Sequence, residues 1–397
     1  MSEESGSLSV RAVRGSAIRD LLAVVEQPCV LSLAGGLPSS ESLPVERVAR
    51  AAAAALRSPS ALQYGVTTGA PALREVVHAR ESAKLGRDAG AVVVTHGSQQ
   101  ALSLLAQALL DPGDAVIVED PGYIGALQAF DTTRARVIGV PMDADGMRTD
   151  ELRPILQRER VRIVHTVSNF HNPGGATLAE ERRRELARLA DEFGFWIIED
   201  DPYGELRFAG STVPPVAAYS DRVLRLSSAS KIVAPSLRVG WMHGDAGVLA
   251  LVERLKQGAD LCGSSLTQAI AAELLADTAW LDEHVERIRA AYAERALALH
   301  AALIEAFGDR LRLTRPEGGM FLWGEFTDGT RTSDRLDEAV AAGVAYVPGS
   351  AFAVQRDLSH ALRLCFTTGT PEELREAVHR LATALPPSAE ERHHTPS

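Results

Sequence analysis

The stretch from residue 177 to residue 203, TLAEERRRELARLADEFGFWIIEDDPY, contains the helix-to-strand alternation on which the fold turns. Thr177 and Glu180 have the Thr-x-x-Glu spacing of a capping box. Leu186, Leu189, Ala190 and Phe193 recur at i, i+3, i+4 and i+7, and Gly194 supplies a helix stop. Phe195-Trp196-Ile197-Ile198 follows at once and is apolar at every position, as a strand covered on both faces must be. Working outward, β-rich apolar runs recur at Ala91–Thr95, Ala115–Glu119, Val137–Val140, Arg162–Val167, Phe195–Asp200, Val223–Leu226 and Val239–Met242, several separated by helical patterns. The rhythm predicts an α/β fold: a mostly parallel, seven-stranded sheet sandwiched by helices. Residues 1–30, with Ile18, Leu21, Leu22 and Val25 at helical spacing, read as an N-terminal arm or helix. Residues 31–280 read as a large domain. Residues 281–385, opened by a long charged helix from Trp280 to Phe307, read as a smaller α/β domain packing with part of the N-terminal segment. The stretch 386–397 reads as a disordered tail.

Composition narrows the chemistry. The chain has 397 residues, 46% of them apolar and 23% charged, enough to bury a core without staples. Of 41 basic residues only Lys84, Lys231 and Lys256 are lysine, so amine chemistry has three candidates; arginine stays protonated and forms no Schiff base. A net charge of −11 argues against a nucleic-acid partner. Cys29, Cys262 and Cys365 are odd in number and in no metal-ligand spacing, so no metal is expected and free thiols in a reducing compartment are. No apolar run reaches the length of a membrane span, and Glu3 and Glu4 stand where a signal peptide would be basic, which points to the cytoplasm.

The three lysines differ in setting. Lys84 and Lys256 lie in charged helical patterns and read as solvated side chains. Lys231, in Ser227-Ser228-Ala229-Ser230-Lys231, follows a strand and has no charged neighbour until Arg238. Desolvation there would favour the neutral amine that forms an imine. Thr95-His96-Gly97-Ser98-Gln99-Gln100 leads a strand into a helix through small residues and would aim free N–H groups at an anion, with Ser228, Ser230 and Arg238 completing a phosphate site. Such a turn on its own is more often an ordinary helix cap. Glu199-Asp200-Asp201 ends a buried strand, where unpaired acids are costly and where α/β sheets bind ligands. A carboxylate there could hold a proton on a ring nitrogen, and Tyr203 could donate to a phenolate oxygen. Asn172-Pro173-Gly174-Gly175 could present an amide or be merely a turn. An imine-forming lysine, a phosphate cradle, an acid for a ring nitrogen and a Tyr/Asn pair are together what pyridoxal phosphate requires.

In these motifs the chain resembles the fold-type I, class I/II aminotransferases that depend on pyridoxal 5′-phosphate, and within them the α-aminoadipate and kynurenine aminotransferase branch. The resemblance runs in order from Ile18-Arg19 to Pro371 through Ala34-Gly35-Gly36-Leu37-Pro38, Gln63-Tyr64-Gly65, Gly97-Ser98-Gln99-Gln100, Glu119-Asp120-Pro121-Gly122-Tyr123, Asn172-Pro173, Glu199-Asp200-Asp201-Pro202-Tyr203, Ser228-Ala229-Ser230-Lys231, Leu237-Arg238-Val239-Gly240, Pro316-Glu317-Gly318-Gly319-Met320-Phe321 and Leu362-Arg363-Leu364. It implies that Lys231 binds the cofactor covalently and then serves as general acid and base. It implies that Asp200 holds the pyridine N–H, that Tyr203 and Asn172 bind the phenolate oxygen, and that Tyr123 stacks on the ring. Gly97, Ser98, Gln99, Ser228, Ser230 and Arg238 would hold the phosphate, joined by Tyr64 from a second subunit, so that a homodimer with shared sites is expected. Arg363 would clamp the substrate α-carboxylate with Gly36 and Asn172 assisting, and Arg19 matches an N-terminal arginine that meets acidic side chains. Two motifs depart from the family: His171-Asn172-Pro173-Gly174-Gly175 stands for the usual Gln-Asn-Pro-Thr-Gly, and Pro235-Ser236-Leu237-Arg238 for Pro-Gly-Leu-Arg. The first lies near the substrate and puts its range in question.

The expected activity is transfer of the amino group of an L-amino acid to a 2-oxo acid, 2-oxoglutarate foremost, by ping-pong chemistry. The same residues would serve replacement, cyclisation or oxidation of a specialised amino acid. Aminotransferase-like modules also act as effector sensors in transcription regulators, but only about 30 residues precede the motifs, too few for a DNA-binding domain, and the chain is acidic.

Overall fold

The computed structural model describes residues 6–15 and 30–387. Its strands in chain order are β1 Leu31–Ser32, β2 Ala91–Thr95, β3 Ala115–Asp120, β4 Arg136–Asp143, β5 Gly146–Met147, β6 Val161–Thr166, β7 Trp196–Asp200, β8 Val223–Ser228, β9 Gly240–Gly244, β10 Leu311–Leu313, β11 Phe321–Phe326, β12 Val344–Ala345, β13 Val347–Pro348 and β14 Ala361–Cys365. All seven expected strands form, as β2, β3, β4, β6, β7, β8 and β9. They make one sheet in the order β2-β9-β8-β7-β6-β3-β4, to which β5, two residues long, adds an eighth strand at the edge. Neighbours from β8 through β4 are parallel, whereas β9 runs antiparallel to both β2 and β8. The amino end of β9 therefore lies beside the carboxyl ends of the other strands, and that edge holds the site.

Helices cover both faces, as strands apolar on both sides require. On one face helices 97–109, 124–133 and 246–260 pack Leu102, Leu105, Phe130 and Val252 on Val116, Ile163, Ile198 and Leu224. On the other, Leu186, Leu189 and Ala190 of helix 180–193 meet Ile117, Val164, Ile197 and Val223. That helix ends on Gly194 at φ +80°, a conformation glycine adopts without strain. Its expected capping box does not form. Leu178 N donates to Ser168 O and Ala179 N to Asp145 O, so the backbone is committed to neighbouring loops until Glu180 and the N-cap is Ala179. The Thr177 hydroxyl accepts from Phe170 N and Arg207 instead.

A second sheet, antiparallel in the order β10-β11-β14-β13, is built from the C-terminal third and packs with helices 278–307 and 371–384. β1 pairs in parallel with β12, Leu31 opposite Val344, which brings the N-terminal segment onto this C-terminal region. The Asp120 carboxylate at the end of β3 accepts the N–H groups of Val354, Gln355 and Arg356 and ties the two sheets together beside the site. The helical spacing noted at Ile18–Val25, and Arg19 with it, lies outside the described residues, as does the tail from 388. Among the described residues no helix is long and apolar enough to cross a membrane, and no cluster of His, Cys, Asp and Glu could hold a metal.

Candidate active site

A cavity of 390 Å³ opens at the carboxyl ends of the parallel strands. It gathers residues from sequence positions 36 to 363: Lys231, Asp200, Tyr203, Tyr123, Gly97, Ser98, Gln99, Asn172, Ser228, Ser230, Arg238, Gly36 and Arg363 all line it. The sheet explains the convergence. Parallel strands point their ends the same way, so the turns after β2, β3, β6, β7 and β8 and the turn before the antiparallel β9 meet at one edge.

Lys231 follows β8, and its Nζ donates to the carbonyl of Gly36 at 3.0 Å. Burial, with Arg363 and Arg238 adding repulsion against an opposing Cys365 contribution, lowers its pKa to about 8. An amine so placed spends an appreciable fraction of its time neutral near physiological pH and can attack a carbonyl.

The three acids at the end of β7 divide by environment. Glu199 accepts from the Ser168 hydroxyl and from the N–H groups of Val216 and Ala217. Asp201 accepts from Arg225 and from Gly204 N. Asp200, 1% exposed, keeps Oδ1 without a partner, while its Oδ2 lies 3.9 Å from His165 Nε2. Burial pushes the Asp200 carboxyl above the usual range, opposed by His165. A cationic N–H in the cavity would supply the missing partner.

Helix 97–109 points its free N–H groups at the cavity. Gly97 sits at φ +75°, and a side-chain carbon there would come within 2.7 Å of the Arg238 guanidinium. Arg238 donates to the carbonyls of His96 and Pro235, and Ser228 Oγ lies 2.8 Å from Ser230 Oγ. Helix dipole, guanidinium and two hydroxyls form an anion cradle. Burial raises the Tyr123 and Tyr203 hydroxyls well above the ordinary tyrosine range, so both stay neutral donors. On the far wall Arg363, 2% exposed, donates to Asn172 Oδ1 at 2.9 Å and to the carbonyls of Ala34 and Gly35 at 2.7 and 3.2 Å. Its plane lies over Phe321 at 4.3 Å and Phe352 at 5.1 Å, and its Nε has no partner. This constellation fits pyridoxal phosphate: an unpartnered buried carboxylate oxygen for the ring N–H, a cradle for the phosphate and a depressed-pKa lysine for the aldehyde.

Two expected residues are not brought in. The side chain of Tyr64 is 79% exposed and lies outside the cavity, and Arg19 lies outside the described residues. Leu37, Val167, Pro202, Pro235 and Phe321 line the cavity without having been assigned a role from sequence; they carry no polar group to attract notice. His165 was detectable as an imidazole in an apolar strand.

The reading of Lys84 and Lys256 as solvated side chains needs correction, and two arginines are buried as well. Lys256 is fully buried against Asp260, and Lys84 bridges Glu81 and Glu205. Arg225 is buried between Glu81 and Asp201, and Arg183 donates to Leu178 O, Ser168 O and Asn169. Each has a partner distant in sequence or one helical turn away, which local composition does not reveal.

The family model for class I and II aminotransferases matches residues 29–381. The aromatic-amino-acid aminotransferase 1 of Thermococcus litoralis is 40% identical over 384 residues, 94% of this chain and 92% of that protein. The 2-aminoadipate transaminase of Thermus thermophilus is 37% identical, with 94% of each chain covered. The solved structure of the Pyrococcus horikoshii kynurenine aminotransferase superposes with a TM-score of 0.93 at 38% identity, covering 99% of this chain and 98% of that one. The chain belongs to the class I and II aminotransferases. It is a pyridoxal-phosphate-dependent enzyme that moves an amino group from an amino acid to a 2-oxo acid.

Proposed function

We propose that the enzyme takes its amino group from an L-amino acid with a bulky, largely apolar side chain and passes it to 2-oxoglutarate in a ping-pong cycle. The observation that carries this reading is the pairing, in one cavity, of Arg363 with a free Nε and Lys231 with a depressed pKa. When bound, pyridoxal phosphate supplies the aldehyde that receives the amino group and a ring that takes up the electron pair released at the substrate Cα. Asp200 would hold the ring N–H, Tyr203 and Asn172 the phenolate oxygen, and Tyr123 one face of the ring. Gly97, Ser98, Gln99, Ser228, Ser230 and Arg238 would hold the phosphate. Arg363, steadied by Asn172 and the carbonyls beside Gly36, would fix the α-carboxylate. Lys231 Nζ would then take the proton from Cα and return it to the carbon on the other side of the transferred nitrogen, the one the cofactor's aldehyde supplies.

Leu37, Val167 and Phe321 supply the apolar wall that favours such a donor. Among the described residues the cations lining the cavity are Lys231, Arg238 and Arg363, each with a task already. A side-chain carboxylate, as in 2-oxoglutarate, would meet Arg19. A second copy of the chain would cover the exposed Leu62, Tyr64 and Val66 and bring its Tyr64 to the phosphate, making the active unit a homodimer. We place the large domain at residues 31–280 and the small one at 281–385, and the enzyme in the cytoplasm. A panel of amino acids with 2-oxoglutarate or pyruvate as acceptor tests the reading. Glutamate should form, fastest from aromatic and long aliphatic donors; cofactor binding without glutamate from any donor would overturn it.

A further inference from the structure

His171 replaces the glutamine usual in this family, and its surroundings are specific. The residue is fully buried. Its Nδ1 accepts the N–H of Gly174 at 3.0 Å, so the ring hydrogen sits on Nε2, which faces Glu119 Oε2 at 3.2 Å, within ion-pair distance but outside hydrogen-bond alignment, and has no other partner. The backbone is clamped as well: His171 N donates to Ala176 O, and Gly175 N donates to His171 O. Glu119, 1% exposed at the end of β3, also accepts from the Thr166 hydroxyl and from Val167 N at the end of β6. One carboxylate thus joins two strand ends to the turn that carries Asn172. Asn172 Oδ1 is in turn the side-chain acceptor of Arg363 NH1.

We propose that Glu119 and His171 form a positioning pair for substrate binding: they fix the Asn172 amide so that Arg363 presents its guanidinium to the substrate carboxylate. The assignment rests on the reading of Arg363 as the carboxylate clamp. Neither residue lines the cavity, so both act through Asn172. A glutamine at 171 offers a comparable N–H to Glu119, whereas a leucine of similar size offers none, and the pair separates by that difference.

The test uses the holoenzyme and 3-phenylpropionate, a carboxylate with no amino group to react, titrated through the cofactor absorbance alongside steady-state kinetics. In His171→Leu the Kd for 3-phenylpropionate and the KM for the amino acid should both rise about tenfold, with kcat much less affected. His171→Gln should stay within about twofold of the parent. In an Arg363→Lys background His171→Leu should have little further effect on Kd, because the coupled residues act as a unit. The proposal fails if His171→Leu binds 3-phenylpropionate as the parent does, if it lowers kcat alone, or if His171→Gln falls as far as His171→Leu. Should His171→Leu not fold, Glu119→Gln decides: a loosened Kd supports the pair and an unchanged one overturns it. An unchanged Kd in Arg363→Lys alone would instead overturn the carboxylate reading and, with it, the proposal.

Discussion

Two groups of buried charge lie back to back at the end of β7 and are treated in opposite ways. Behind the site, Arg225, Glu81, Asp201 and Lys84 neutralise one another: Arg225 bridges Glu81 and Asp201, and Lys84 bonds Glu81. Inside the cavity, Asp200 keeps an unpartnered oxygen and Arg363 an unpartnered nitrogen, although both are almost completely buried. Burying a polar atom without a partner costs about 1–3 kcal/mol. Arg225 Nε also lacks a hydrogen bond but faces the Glu199 carboxylate at 3.7 Å, whereas Asp200 and Arg363 line the cavity, where a ligand can complete them, so the open group marks the chemistry and the paired one holds the scaffold.

Substitutions can break this contrast. Lys231→Ala should lower transamination by about 10⁴-fold, since both the covalent tie and the proton carrier are lost, and should abolish the cofactor's lysine-bound absorbance. Lys84→Ala and Lys256→Ala should leave kcat near the parent value; parent-like turnover in Lys231→Ala would sink the assignment. Arg225→Met should destabilise the protein by about 3–5 kcal/mol in urea unfolding, because Glu81 and Asp201 would be left buried without their cation. A stability within error of the parent would mean that the paired group is not structural. Asp200→Asn should do the reverse, preserving stability while lowering kcat on the order of a hundredfold through loss of the charge facing the ring nitrogen. Comparable losses of stability in both variants would erase the distinction.

The smallest effect is in pH. A lysine attacks carbonyls as the neutral amine, and Lys231 has its pKa depressed to about 8. Uptake of added pyridoxal phosphate by the cofactor-free protein should therefore climb about tenfold per pH unit below 8 and level off above it. A rate still climbing towards pH 10 would show an ordinary, solvated lysine.

Much of this was legible in the chain because it is local. Apolar runs of four to six residues, several separated by helical patterns, gave all seven long strands, and strand-end motifs gave Lys231, Asp200, Tyr203 and the Gly97 turn. The short strand β5 escaped because two residues carry no period. The capping box at Thr177 and Glu180 has the right letters, but loops distant in sequence claim the backbone that would have formed it. The burial of Lys256, Arg225 and Arg183 was not legible because hydropathy scores a charged residue without its partner. For Arg225 that partner, Glu81, lies 144 positions away.

The sequence by itself determined the layered α/β fold, the single lysine set apart for amine chemistry and the family, since each depends on periodicity or on motifs a few residues long. Only the tertiary structure decided which buried charges are satisfied and which stand open. It also joined Glu119 to His171 and Asn172 to Arg363, because a carboxylate's role depends on what strand order places within hydrogen-bonding distance of it.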